Sequence, residues 1–230
     1  VSVICIIPAR GGSKGIKNKN IIDVLGCPLI EYSIKQALKS KYIDEVYVTT
    51  DSLEIAKVSA SAGAKVVMRP AVLSDDLATS ESAILHCLED VESTGVNVTL
   101  VVFLQCTSPI RYQGDLDDAI AAYRDQKCDS LLSVVENHRF IWERSNDGTY
   151  QSVNYDYNYR QRRQDLAPQF CENGSIYIFT PAGIRETGNR LSGRIGIYVM
   201  RDETAYEIDG LVDVSVIEAL LPTIKCTVNN

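Results

Sequence analysis

The order of apolar runs along this chain predicts an α/β fold: a mostly parallel sheet with helices on both faces. Three observations carry that prediction. Over residues 1–135, short strand-like runs alternate with stretches of helical period, which is the pattern of repeated strand-helix-strand units. The run Leu100-Val101-Val102-Phe103-Leu104 is apolar without a break, as a strand covered on both faces must be. The first run, over 3–7, stops at Pro8 and opens into a glycine-rich basic loop, and open α/β sheets bind ligands where their strands end.

The elements follow in order. Residues 21–24 read as a short extended piece. A helix over about 28–40 places Leu29, Ile30, Ile34, Ala37 and Leu38 on one face, with Pro28 near its first position. A strand over 46–49 ends at Asp51-Ser52, a helix start, and the helix over 53–62 stops at Gly63. A third strand, over 65–68, closes at Arg69-Pro70. The helix over 79–92 has Thr79 or Ser80 at its cap. After the central strand come a proline-containing loop over 105–111, a helix over 115–125 and a strand over 130–135.

From 136 the pattern changes to a polar, aromatic and weakly periodic stretch. Asn146-Asp147-Gly148 is a hairpin-type turn signal. Tyr155, Tyr157 and Tyr159 alternate, which predicts an extended arm leading into Arg160-Gln161-Arg162-Arg163. Strands return over 175–179 and 195–199, and a helix over 211–220 comes last. No low-complexity linker and no internal repeat divides the chain. The expectation is one domain over 1–230 with an arm inserted at about 137–170.

Composition narrows the function. The chain has 230 residues, 45% hydrophobic, enough for a full core. Its net charge of -7 and the lack of an extended basic stripe argue against nucleic acid as a partner. The seven cysteines are scattered and none forms C-x-x-C, as expected for reduced thiols in a cytoplasmic protein. The longest apolar runs are far too short to span a membrane, and the first lacks the basic start of a signal peptide.

Against that acidic background the loop Pro8-Ala9-Arg10-Gly11-Gly12-Ser13-Lys14-Gly15-Ile16-Lys17-Asn18-Lys19-Asn20 stands out. It carries four cations and three glycines and no acid. Glycine lets a ligand approach the main chain closely, and clustered cations suit a polyphosphate. The plainer alternative is a solvated charged loop. The loop is neither G-x-x-x-x-G-K-[ST] nor G-x-G-x-x-G. No G-x-S-x-G accompanies His86 or His138, so a hydrolase triad finds no support, and both histidines read as structural or surface residues. No His/Cys cluster has zinc-ligand spacing.

Three further stretches offer chemistry. Gln105 to Arg111 carries an amide, hydroxyls and a guanidinium, suited to a polyhydroxylated ligand or simply to a proline turn. Arg162-Arg163-Gln164-Asp165, followed by Glu172-Asn173-Gly174, supplies arginines able to pair with a carboxylate or phosphate, or a solvated arm that folds against another subunit. Tyr206-Glu207-Ile208-Asp209 places two carboxylates on one side of an extended segment, where Mg²⁺ would relieve their repulsion; a pair of surface acids is the alternative.

Taken together these stretches resemble the acylneuraminate cytidylyltransferases, the CMP-sialic acid synthetases. The matches are the opening motif with Lys19-Asn20, Arg69-Pro70 with Ser80, Leu104-Gln105-x-Thr107-Ser108-Pro109-x-Arg111, Arg163-Gln164-Asp165-Leu166 with Asn173-Gly174-x-Ile176-Tyr177, and Glu207-Ile208-Asp209. They occur in the family's order and cover nearly the whole chain. The resemblance implies a Rossmann-like three-layer α/β/α nucleotide-diphospho-sugar transferase fold with a dimerisation arm. It implies transfer of CMP from CTP to the anomeric hydroxyl of a nonulosonic acid, with Mg²⁺ and in a homodimer. Arg10, Lys14, Lys19 and Asp209 would be catalytic. Ala9, Arg10, Gly11, Ser13, Lys14, Asn20, Arg69 and Ser80 would hold the nucleotide. Gln105, Thr107, Ser108, Arg163, Gln164, Asn173 and Tyr177 would line the sugar site, and Asp209 with Glu207 would hold the metal.

Two positions depart from the family's pattern. Glu207 stands where an aspartate is usual, and Cys106 replaces a proline in the sugar loop. The Arg162-Arg163-Gln164-Asp165 arm and Glu207 also resemble synthetases for related bacterial sugars, which leaves the sugar open among neuraminic, legionaminic, pseudaminic and deaminated relatives. The expected compartment is the bacterial cytoplasm, or the nucleus for an animal source. The rivals are a synthetase for the eight-carbon sugar Kdo and a non-catalytic nucleotide-sugar-binding protein.

Overall fold

A computed structural model describes residues 2–224 except 14, 76 and 77. Its main sheet has seven strands: β1 (Ser2–Pro8), β4 (Glu45–Thr50), β5 (Lys65–Met68), β6 (Val98–Leu104), β7 (Ser130–Glu136), β10 (Phe170–Phe179) and β11 (Ile195–Val199). Their order is β11-β7-β10-β6-β1-β4-β5, with the apolar β6 in the middle. All pairs are parallel except those of β10, which runs antiparallel to β6 and β7. Between β1 and α1 (Leu29–Leu38) lies a two-stranded ribbon of β2 (Asp23–Val24) and β3 (Cys27–Pro28). The fold is the expected Rossmann-like α/β/α sandwich.

Strand alternation builds the two inner faces. In β1, Cys5 and Ile7 face a cluster that includes Ile30 and Ile34 of α1, Ile55 of α2 (Leu53–Ser61) and Ile120 of α4 (Asp115–Asp125). Ile4 and Ile6 face the opposite cluster, with Ile84 and Leu88 of α3 (Ser80–Ser93) and Ile184 of α5 (Pro181–Thr187). The helix signals hold at their ends. Ser52 accepts from the Ile55 amide at 3.4 Å, and Thr79 accepts from Ser82 at 3.2 Å. Helix α5 was not foreseen, although Thr180 caps it at Gly183 and Pro181 opens it; at seven residues it offers too little periodicity to read.

A third cluster matters most for function. Ile16 and Leu29 meet Ile110, Ile208 and Ile217 beneath the carboxyl ends of β1 and β6, the last from α6 (Leu211–Leu220). This small core ties the opening loop to a segment almost two hundred residues away. The chain runs β1, β4, β5 outward on one side and returns to β6 on the other, so the β1/β6 boundary is a topological switch point.

The stretch between β7 and β10 corrects one expectation. Its hairpin forms as predicted: β8 (Trp142–Arg144) pairs with β9 (Tyr150–Ser152), and Asp147 accepts from the Thr149 amide at 3.0 Å in the turn. The alternating tyrosines do not lie in an extended strand. Residues 153–159 bend and turn, and Tyr155 packs on Phe140 while donating no strand bond; its hydroxyl accepts from the Trp142 indole at 3.0 Å. Their alternation reflects an aromatic cluster, which a period of two cannot distinguish from a strand. Ile141, Trp142, Tyr150, Tyr157 and Tyr159 remain exposed.

Candidate active site

At the switch point the opening loop walls a cavity of about 480 Å³. Arg10, Ser13, Lys19, Asn20, Arg69, Ser80 and Asp209 all line it, so residues chosen from four separate stretches converge in one place. Arg10 donates to the Asp75 carbonyl at 3.0 Å. The Asn20 amide donates to the Arg10 carbonyl at 3.0 Å and holds the loop's first turn. Arg69 is buried in the wall and donates to Ser74 at 2.8 Å; burial pulls its guanidinium below its ordinary value, with the charge of Asp51 opposing. Helix α3 begins at the cavity wall, where Thr79 and Ser80 line it, and a helix N-terminus favours anions. Lys14 lies outside the described residues.

Two loop positions do something other than offer amides to a ligand. The Ala9 amide is bonded to the Thr49 carbonyl at 3.0 Å, and the Gly11 amide to Asp51 Oδ1 at 2.9 Å. Asp51, which the sequence offers only as part of a helix start, is therefore a brace for the loop. A Cβ on Gly15 would lie 2.7 Å from the Asp209 carbonyl oxygen, so glycine is required there by close packing against the acidic segment.

That segment, residues 206–209, crosses from one cavity to another. Ile208 is fully buried, and its amide donates to the Thr107 carbonyl at 2.8 Å. Its neighbours point the other way. Asp209 faces the 480 Å³ cavity, where Lys19 Nζ reaches its Oδ1 at 3.2 Å and the Ile208 carbonyl at 3.0 Å. Glu207 faces a second cavity of about 760 Å³ that is lined also by His138, Arg139 and Glu172. Burial pushes the Glu207 carboxyl above its ordinary value and the charge of Asp209 adds to that, while Thr107 and Lys19 oppose. Gln105 lies beside Thr107, whose hydroxyl is 3.4 Å from the Gln105 carbonyl oxygen Oε1.

Four of the residues assigned to sugar binding sit elsewhere. Ser108 is buried and bonded to the Asn173 carbonyl at 3.4 Å. Asn173 is itself 1% exposed, with its amide engaged inside the protein. Tyr177 is buried in the α3–α5 face, stacked on Phe103, with its hydroxyl bonded to Glu172. Gln164 is exposed in a 3₁₀ turn on the arm and lines neither cavity. Of Arg163 only the backbone, at the start of that turn, is described. Arg111 is also not a ligand group: it is fully buried, donating to Ser33 and Gln36 at 3.0 Å and to the Ser175 carbonyl at 2.9 Å. Cys106 is buried as well, and burial pushes its thiol up to about 12, so it fills the loop as an inert apolar residue.

Among the described residues no group of three His, Cys, Asp or Glu side chains forms a metal cluster, and no helix is long and apolar enough to cross a membrane. A cation that keeps waters and binds substrate phosphates needs only one or two protein carboxylates. Glu207, whose carboxyl is raised by burial and by the charge of Asp209, and Asp209 itself are the carboxylates that would fit such an ion.

The family model described as cytidylyltransferase matches residues 4–225. The chain belongs to the cytidylyltransferase family. It is 36% identical over 219 residues to N-acylneuraminate cytidylyltransferase A of Danio rerio, covering 94% of this chain and 50% of that protein. It is 34% identical over 212 residues to N-acylneuraminate cytidylyltransferase of Streptococcus agalactiae serotype III, covering 90% and 50%. The chain thus spans about half the length of the curated relatives it matches. Its fold is shared with a CMP:2-keto-3-deoxy-manno-octonic acid synthetase solved with CTP, at a TM-score of 0.74 and 17% identity over 97% of this chain and 99% of that one. A 4-diphosphocytidyl-2C-methyl-D-erythritol synthase from Anaerococcus prevotii gives a TM-score of 0.68 at 13% identity over 96% and 98%.

Sequence reasoning missed Arg139, and it gave no role of its own to Asp51, Glu172 or Gly174. Asp51 was read as a helix start, and Arg139 sits in a stretch without period. Gly174 has φ +62°, and a Cβ there would lie 2.9 Å from Glu207 Cδ. The Asn-Gly pair at 173–174 was the one signal available, and it marks the point where the β10–β7 register shifts.

Proposed function

We propose that this protein transfers CMP from CTP to the anomeric hydroxyl of a nonulosonic acid of the sialic type, releasing pyrophosphate. The observation that carries the reading is the Glu207-Ile208-Asp209 strip standing between two cavities, with the cationic glycine loop on one side only. The triphosphate binds against Arg10, Ser13, Lys19 and the first turn of α3, with Lys14 completing the loop's positive charge. Asn20, Arg69 and Ser80 hold the cytidine. The sugar approaches from the Glu207 side, next to Gln105 and Thr107, where Arg139 supplies positive charge for its carboxylate. The sugar oxygen forms the new bond to the α-phosphorus as the bond to pyrophosphate breaks, and the hydroxyl proton leaves to water or a carboxylate. Positioning and charge neutralisation lower the barrier.

Glu207 and Asp209 would hold Mg²⁺, which would screen the phosphate charge. Lys19 is anchored by the strip itself, so its ammonium sits where charge accumulates on the leaving group. The exposed aromatics of the 137–170 arm suit an interface, and the reading includes a homodimer joined there.

The decisive test is pyrophosphate release across four nucleoside triphosphates and a panel of α-keto acid sugars, with and without Mg²⁺. Release is expected with CTP and a nine-carbon acid sugar, dependent on the metal. No release with any pair would end the enzyme reading, and release with Kdo alone would replace the sugar class. The panel also separates neuraminic from legionaminic and pseudaminic acids.

A further inference from the structure

We infer that Asn173 and Thr204 form a positioning clamp that sets the carboxylate strip between the two cavities; the catalytic consequence rests on the cytidylyltransferase reading above. The strip needs such a device. Residues 206–209 belong to no helix or sheet and follow a 3₁₀ turn, Asp202–Ala205. Irregular backbone has no ladder of its own to fix side chains within the tolerance that catalysis requires.

Asn173 lies in β10 where the register slips, and its amide joins three elements. Its Oδ1 accepts from Ser133 Oγ of β7 at 2.6 Å and from the Ser175 amide at 3.3 Å. Its Nδ2 donates to Thr204 Oγ1 at 3.0 Å and lies 3.3 Å from Met200 Sδ. Thr204, also 1% exposed, passes the chain on by donating to the Arg201 carbonyl at 2.7 Å. The side-chain polar atoms of Ser133, Asn173 and Thr204 all have partners, the condition under which a polar network rigidifies its surroundings. The residue after Asn173 then takes a left-handed conformation, and Gly174 leaves the space that the Glu207 carboxylate fills. One short stretch of β10 thus holds the turn before the strip and seats its first carboxylate. The Ile208 amide, bonded to Thr107, reports whether the strip stays in place.

The test compares Thr204→Val, Thr204→Ser and Asn173→Ala in the full chain. Amide hydrogen exchange by NMR is read at Ile208, with Val102 in β6 as the reference. Thr204→Val and Asn173→Ala should speed exchange at Ile208 by roughly tenfold while Val102 is unchanged. They should lower kcat by about tenfold with the KM for CTP within about twofold, the split expected when a group is displaced without loss of nucleotide binding. Thr204→Ser keeps the hydroxyl and should restore both. Wild-type exchange and turnover in Thr204→Val would overturn the clamp. So would an Asn173→Ala variant that raises only the sugar KM while Thr204→Val is silent, because Asn173 would then contact sugar. If Asn173→Ala does not fold, the two Thr204 variants decide. If wild type forms no CMP-sugar, the transferase reading fails, and exchange at Ile208 still decides the clamp.

Discussion

The two walls of the proposed reaction site are built in opposite ways. The nucleotide wall comes largely from one run, Arg10 to Asn20, laid directly on the end of β1 and braced from within by the Asn20–Arg10 bond. The carboxylate wall is a short irregular strip held from outside: by Thr107 at the end of β6, by Lys19 and Gly15 in the loop, by Gly174 in the β10 bulge and through Thr204. A contiguous wall carries its chemistry in its own residue types. A strip held from outside carries it in contacts that no local pattern records.

The largest effects should fall where the walls touch. Lys19 joins them, bonding both Asp209 and the Ile208 carbonyl. Lys19→Ala and Asp209→Asn should each lower single-turnover CMP transfer by at least about a hundredfold, the scale of losing one preorganised electrostatic contact. Rapid-quench measurement with saturating CTP checks this. Unchanged transfer in Lys19→Ala would mean that the contact between walls is only structural.

A second comparison lies within the loop. Gly15 abuts the Asp209 carbonyl, whereas a Cβ on Gly12 meets nothing within 4 Å. Gly15→Ala must push two backbones apart, and overpacking of that kind costs about 1–3 kcal/mol. It should lower the midpoint of thermal unfolding by several degrees, while Gly12→Ala should leave it near wild type. Equal melting of the two variants would show that the walls do not press on each other at Gly15.

The same contrast explains what could be read from sequence. The sheet, its central strand and its first-half helices followed from periodicity, because each element shows its buried face in its own residues. The loop was legible because four cations and three glycines after an apolar strand are unusual in an acidic chain. Gln105, Thr107, Glu207 and Asp209 were found as chemistry-bearing types, and the structure does bring them to the strip. Asn173, Ser108, Tyr177 and Arg111 were misplaced for one reason. A polar side chain in a motif reads as available to a ligand until its partner in the fold is known: Thr204 and Ser133 for Asn173, Glu172 for Tyr177, Ser33 and Gln36 for Arg111. The tyrosines of the arm failed differently, since aromatic clustering in a turn imitates strand alternation.

The smallest effect expected is on stability, and it separates the two carboxylates of the strip. Burial and the Asp209 charge raise the Glu207 pKa in the folded state. A carboxyl raised on folding binds its proton more tightly in the native protein, so its ionisation opposes folding. Below the ordinary glutamate range, about pH 4, both states are protonated and the cost is absent. It grows as pH rises from the unfolded toward the folded pKa, and it is complete above the folded value. Glu207→Gln should therefore melt a few degrees higher than wild type at neutral pH without ligands, and the gain should vanish on acidification below about pH 4. Asp209→Asn removes an exposed carboxylate that accepts from Lys19, and should bring no such gain. Thermal unfolding of both variants across that pH range reads the difference. A Glu207→Gln protein no more stable than wild type at neutral pH would mean that the β10 bulge accommodates the charged carboxylate without cost, and Gly174 would then be a seat shaped for the anion itself.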